Sequence, residues 1–203
     1  MNTNLWAFEH EARKDGYFQI AGVDEAGRGP LAGPVVSAAV VLPESFDVVG
    51  VNDSKKLSPK KRTALFPRIK AAAHAVGVGI VEAPVIDRIN ILQATLQSMA
   101  MAVADLAVPP DYLLVDGIFE ISTPLPQRTI TKGDSRSISI AAASIIAKVT
   151  RDRLMAEYDD LYPQYGFAKH KGYPTQAHKE AVRQFGCSPI HRKSFKGVKE
   201  TLV

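Results

Sequence analysis

Residues 35–42, VVSAAVVL, are apolar at all but one position. A strand with one wet face alternates polar and apolar residues, so this run reads as a strand covered on both faces. Residues 17–24 read as a second strand, close enough in sequence to pair with the first in antiparallel fashion. Between them lies AGRGPLAGP, residues 26–34. Three glycines and two prolines in nine residues exclude a regular element, so the connection is a loop.

The remaining elements build a sheet with helices packed on it. Residues 5–14 suggest a short helix. Ser58 followed by Pro59 starts another that runs to about His74, a capping hydroxyl before a proline whose missing N–H is not needed in the first turn. Residues 77–82 read as a third strand, and residues 89–106 carry apolar positions at amphipathic-helix spacing. A short buried strand over 112–115 is stopped by Asp116 and Gly117. Residues 128–131 suggest an edge strand, and residues 138–158 a helix lying partly against the core. Thr175 caps a helix over 175–185 that closes at Gly186. Strands first, then alternating helices and strands, point to a mixed α/β sheet. With 203 residues, 46% of them apolar, and no repeat or long linker, one continuous core is expected.

Composition narrows the chemistry. Cys187 is the single cysteine, which rules out an internal disulfide and a multi-cysteine zinc site, so any metal must be held by oxygen or histidine. No apolar window approaches the roughly 18 residues of a membrane span, and the opening MNTNLWAFEHEARKDGY carries acids and bases where a signal peptide would be apolar. A cytoplasmic protein is expected. The net charge of +4 is compatible with a polyanionic partner. Bases gather at Lys55, Lys56, Lys60, Lys61 and Arg62, and again at Lys169, Lys171, Arg192, Lys193 and Lys196. Each cluster reads equally as a solvated surface.

Four acidic residues stand out, at three places in the chain. Asp24 and Glu25 adjoin at the end of a buried strand, where two carboxylates repel one another and burial raises the cost, so a compensating cation is called for. Asp116 also ends a strand, and ligands of α/β sheets gather beyond the carboxyl ends of strands. Asp134, in KGDSRS, precedes the long helix. Taken singly, each also fits an ordinary turn or cap.

Read together, the segments AGVDEAGRGPLAGPVV, NDSKKLS, LLVDG, TKGDSRS with AAASIIAKVTRD, and YGFAKHKGYPT resemble the successive signature blocks of ribonuclease HII, in that family's order, over residues 19–197. The resemblance implies a ribonuclease H-like fold: a mixed five-stranded sheet flanked by helices, with residues 1–160 as the catalytic part and 161–203 as a small helical appendage packed on it. It implies hydrolysis of the RNA strand of RNA/DNA hybrids and nicking of duplex DNA 5′ to embedded ribonucleotides, leaving a 3′-hydroxyl and a 5′-phosphate. Asp24, Glu25, Asp116 and Asp134 become the catalytic carboxylates, holding Mg²⁺ or Mn²⁺. Two hard cations about 4 Å apart can activate an attacking water and stabilise the departing oxyanion.

The same resemblance assigns ribonucleotide recognition to Gly27, Arg28 and Gly29, and places Tyr173 at the RNA–DNA junction. Residues without side chains let backbone groups approach a sugar closely, and the 2′-hydroxyl both donates and accepts. Lys55, Lys56, Lys148 and Lys171 are candidate phosphate contacts. His170, His178 and His191 lack metal-ligand spacing and read as surface or phosphate-proximal groups; Cys187 reads as an inert thiol. A monomer acting on hybrid or ribonucleotide-containing duplex is expected. Two alternatives stay open on sequence: a resolvase-like nuclease of the same fold, and a nucleic-acid-binding protein without catalysis.

Overall fold

Seven residues of the apolar run, Val35–Val41, form strand β2, and every one is buried. The reason is visible in its alternation. Ala38 and Val40 pack against the long helix α4 (Ile138–Leu161), while Ala39 and Val41 pack against α3 (Ala83–Ala104) on the opposite face. The computed structural model describes residues 4–51, 54 and 57–201. In it β2 lies inside a five-stranded sheet with β1 (Ile20–Ala26), β3 (Ala75–Val81), β4 (Tyr112–Asp116) and β5 (Gln127–Ile130), ordered β3-β2-β1-β4-β5. The β1–β2 and β2–β3 pairs are antiparallel, and β1–β4 and β4–β5 parallel. This is the mixed five-stranded, helix-flanked sheet expected from the sequence. Among the described residues no helix is long and apolar enough to cross a membrane.

Helix boundaries follow their caps. Ser58 accepts from Lys61 N to start α2 (Pro59–Ala72), Ser137 accepts from Ile140 N to start α4, and Thr175 accepts from His178 N to start α6 (Gln176–Phe185). Two expectations shift. The first strand begins at Ile20 rather than residue 17, because the amides of Phe18 and Gln19 are taken by the Asp111 carboxylate, each at 2.9 Å, instead of by a neighbouring strand. α3 begins at Ala83 rather than residue 89. Asn90, at φ 67°, kinks it, and its side-chain oxygen accepts from Leu92 and Gln93 N, recapping the segment whose periodicity the sequence displays. The N-terminal α1 (Ala7–Lys14) docks on the start of α4: Glu9, 2% exposed, accepts from the Ser137 and Ser139 hydroxyls, both at 2.6 Å. Beyond α4 come a single turn, α5 (Phe167–His170) and α6, which enclose Met155, Tyr165 and Phe167.

Candidate metal centre and nucleic-acid interface

Parallel pairing sets Val23 of β1 beside Val115 of β4. One residue further, Asp24 and Asp116 occupy adjacent positions at the carboxyl ends of neighbouring strands. Alternation also gives them a common face: a Cβ on Gly22 would lie 2.1 Å from the Ser139 carbonyl carbon of α4, and Leu114 packs with Ile140 of α4. Asp24 and Asp116 each follow two residues later. Glu25, next along β1, brings its carboxylate round the strand end, and the oxygens of Asp24, Glu25 and Asp116 lie within 4.8 Å of one another.

Asp24 is the most constrained of the three, 2% exposed. Its Oδ1 accepts from Glu25 N at 2.7 Å, while its Oδ2 is buried and hydrogen-bonds to nothing among the described residues. Burial, then the charges of Glu25 and Asp116, push its carboxyl well above the usual carboxylate range; the Ser144 hydroxyl and the Glu25 amide act against that rise. An orphaned carboxylate oxygen among three converging acids, with no cysteine or histidine in the group among the described residues, fits a hard oxygen-liganded cation such as Mg²⁺ or Mn²⁺.

Asp116 is oriented from behind, its Oδ1 accepting from Gly133 N at 2.6 Å. Gly133 opens the turn Gly133–Ser135, where a Cβ would lie 2.6 Å from Ile140 Cδ1. Asp134 follows it, 5% exposed at the entrance to α4. It stands beside the trio, outside the group whose oxygens meet within 4.8 Å.

The glycine-rich loop borders this centre. Arg28 Nη1 lies 3.5 Å from Glu25 Oε1, and Glu25, Arg28 and Asp116 share a cavity of about 200 Å³ with Thr95 and Met99. A Cβ on Gly29 would meet Tyr173 Cε1 at 3.8 Å, so the loop and the half-exposed tyrosine adjoin although 144 positions separate them in sequence. Gly27 has a different cause from a close approach to a sugar. Its φ is 101°, and a Cβ there would lie 2.1 Å from Arg151 Nε. On the far side of Gly29 opens a cleft of about 970 Å³ whose basic residues are Lys179, Arg183 and Lys196.

Lys148 lies one helical turn beyond Ser144 on the same face of α4. Its Nζ is 2.7 Å from Asp152 Oδ1, and burial pushes its ammonium pKa down against the pull of that carboxylate. Lys171, at φ 53°, places Nζ 3.4 Å from Asp152 O. Lys55 and Lys56 lie outside the described residues. Two readings need correction. His178 and His191 are not surface groups but 0% and 1% exposed, facing each other in the cluster beneath Tyr173, and Arg192 is a fully buried residue rather than part of a basic surface. Burial of a lone arginine or histidine leaves no periodic trace in a sequence of mixed loops and short helices. Only the fold could reveal it.

Comparison with known proteins gives the family and the fold. The family model described as Ribonuclease HII matches residues 21–198. A ribonuclease HII of Geobacter metallireducens is 62% identical over 197 residues, covering 97% of this chain and 92% of the relative. One from Geobacter sulfurreducens is 64% identical over 198 residues, 98% and 91%. Among solved structures, the ribonuclease H2 of Pyrococcus horikoshii superposes with a TM-score of 0.75 at 29% identity, covering 91% of this chain and 97% of that one.

Proposed function

The chain belongs to the ribonuclease HII family, and on that premise we propose that it nicks duplex DNA 5′ to embedded ribonucleotides as well as cutting the RNA strand of hybrids, by two-metal-ion catalysis at Asp24, Glu25, Asp116 and Asp134. It is a metal-dependent endoribonuclease acting on RNA/DNA hybrids, which sets aside the resolvase-like and non-catalytic alternatives.

One observation carries the proposal: a buried Asp24 oxygen without a hydrogen-bond partner among the described residues, inside three carboxylates that repel one another. Divalent ions held there supply charge neutralisation, an activated water and stabilisation of the departing 3′-oxygen. The carboxylates do the holding. Asp24 and Asp116, fixed on adjacent strands and braced by the Glu25 and Gly133 amides, need no reorganisation to take up ligands. Glu25 and Asp134 complete the set from either side. The loop Gly27–Arg28–Gly29 beside that centre, with Tyr173 against Gly29, receives the ribonucleotide and the base step beside it, with backbone groups meeting the 2′-hydroxyl. Lys148 and Lys171, with Lys55 and Lys56, contact phosphates flanking the cleavage point without reading sequence. The protein acts as a monomer, each chain carrying a whole site.

The deciding experiment is cleavage of a duplex containing one ribonucleotide, in Mg²⁺ or Mn²⁺, with and without chelator. We expect a single nick 5′ to the ribonucleotide, bearing 3′-hydroxyl and 5′-phosphate ends, abolished by chelation. An intact duplex under conditions where an RNA/DNA hybrid is cut would refute the nicking activity.

A further inference from the structure

The loop following β1 is turned inside out by two buried arginines. Arg192, 0% exposed, donates to the carbonyls of Gly27 at 2.6 Å, Arg28 at 3.0 Å, Pro30 at 2.9 Å and Gly33 at 3.0 Å, and its own amide donates to Leu31 O at 2.8 Å. Arg151, 1% exposed, donates to Ala32 O at 3.0 Å and Pro34 O at 2.9 Å, and also to Lys171 O at 3.0 Å, beside Tyr173. Of the carbonyls from Gly27 to Pro34, only that of Gly29 has no such inward partner. The amides of Arg28 and Gly29 have no acceptor among the described residues.

Neither guanidinium forms an ion pair among the described residues, and burying a cation without a carboxylate is costly. Carbonyl dipoles take the place of the missing anion. The Gly27 and Arg28 carbonyls are drawn inward, which leaves the N–H groups at the other ends of the same peptides, those of Arg28 and Gly29, facing outward above two positive charges, while the Leu31 and Gly33 amides donate to Gly172 O and Ile190 O. Such an array of peptide N–H groups over buried charge is an anion- and oxygen-accepting surface. An aliphatic side chain could fill the same volume, but it could not collect seven carbonyls from two segments. Lysine could not either, because a point charge on a single stem lacks the planar fork.

We propose that Arg192 and Arg151 are positioning residues for ribonucleotide recognition: by drawing the loop carbonyls inward they present the Arg28 and Gly29 amides to the 2′-hydroxyl side of the ribose. The proposal rests on the reading that this loop senses the ribonucleotide. Arg151 also ties the loop to the backbone just before Tyr173, so the two halves of the recognition surface share one anchor. Neither arginine touches the Asp24 centre through any hydrogen bond or ion pair, so metal binding and recognition are separable.

The test compares the parent with Arg192→Lys and Arg151→Lys. Affinity is measured by fluorescence anisotropy for a duplex with one ribonucleotide and for the all-DNA duplex of the same sequence, in Ca²⁺ to hold back cleavage. We expect the preference for the ribonucleotide duplex to fall at least about tenfold in each folded variant, because the polar groups that meet the 2′-hydroxyl are no longer held in place. All-DNA affinity and the rise in thermal midpoint on adding Mg²⁺ should be kept. A folded variant that retains the parental preference overturns the proposal. A parent that binds both duplexes equally removes the ribonucleotide-sensing reading beneath it. Should the variants fail to fold, hydrogen exchange on the unaltered protein decides: the Arg28 and Gly29 amides must gain protection on binding the ribonucleotide duplex and not on binding the all-DNA duplex. Equal protection, or none, overturns it.

Discussion

His178 Nε2 lies 3.0 Å from His191 Nε2 in a pocket where both rings are buried, and the surrounding hydrogen bonds dictate which nitrogen carries each proton. Ser188 N donates to His191 Nδ1 at 2.9 Å, so His191 is protonated at Nε2 and donates to His178, whose Nδ1–H in turn donates to Tyr173 O at 2.9 Å. His170 stacks on His178 at 4.4 Å. The relay is complete only when both histidines are neutral.

Burial, then the neighbouring His178, lowers the His191 pKa from 6.5 to about 4, and burial lowers that of His178 as well. A base whose pKa is lower folded than unfolded binds fewer protons when folded. Its contribution is therefore intact above pH 6.5 and lost as the pH falls from 6.5 towards 4, by up to about 3 kcal/mol for His191. Urea unfolding across this range should show the parent losing stability, and His191→Gln losing distinctly less. Equal slopes would refute the assignment.

Asp24→Asn and Asp116→Asn should each lower cleavage by about a thousandfold or more, since several kcal/mol of charge stabilisation depend on the ions these groups hold. Without metal, Asp24→Asn should be more stable than the parent by about 1–2 kcal/mol, a rise of roughly 3–6 °C in thermal midpoint, because repulsion within the buried trio is relieved. Adding Mg²⁺ should then raise the midpoint of the parent and leave that of the variant in place. A variant less stable than the parent in chelator would contradict the repulsion argument.

Gly22 and Gly16 separate steric necessity from conformational preference. A Cβ on Gly22 meets the Ser139 carbonyl carbon at 2.1 Å and Ile140 N at 2.3 Å, backbone that cannot yield without lifting α4 from β1. Gly22→Ala should cost about 3 kcal/mol or more and carry activity down with it. Gly16, at φ 94° with open space around it, should cost about 1–2 kcal/mol as alanine and leave kcat unchanged. Thermal unfolding with activity assays measures both.

Glu9 anchors the start of α4, the helix packed behind the Asp24 acidic cluster. Besides the two serine hydroxyls, its Oε1 accepts from Ser139 N at 3.1 Å, a carboxylate at the positive end of α4. Glu9→Ala should cost about 2–3 kcal/mol, leaving a helix terminus and two buried hydroxyls without their acceptor. A loss below 0.5 kcal/mol, read by chemical denaturation, would show that the end of α4 is held by other contacts.

Residues 35–42 point by themselves to a strand covered on both faces, since an apolar run this short, rich in valine and bounded by Pro34 and Pro43, suits a buried strand better than a helix. Ser58 and Thr175 likewise locate helix starts, because a cap is satisfied within three residues. The acids were legible as strand-end residues for the same local reason. What tertiary structure alone decided is their meeting: the parallel register of β1 with β4 carries Asp116 to Asp24 across 92 positions of sequence. It also decided the fate of Arg192, His178 and His191, whose polar letters read as surface, and the burial of Arg151. A charged side chain can be buried wherever the fold supplies enough carbonyls or a matched partner, and those partners come from distant segments that local sequence cannot foresee.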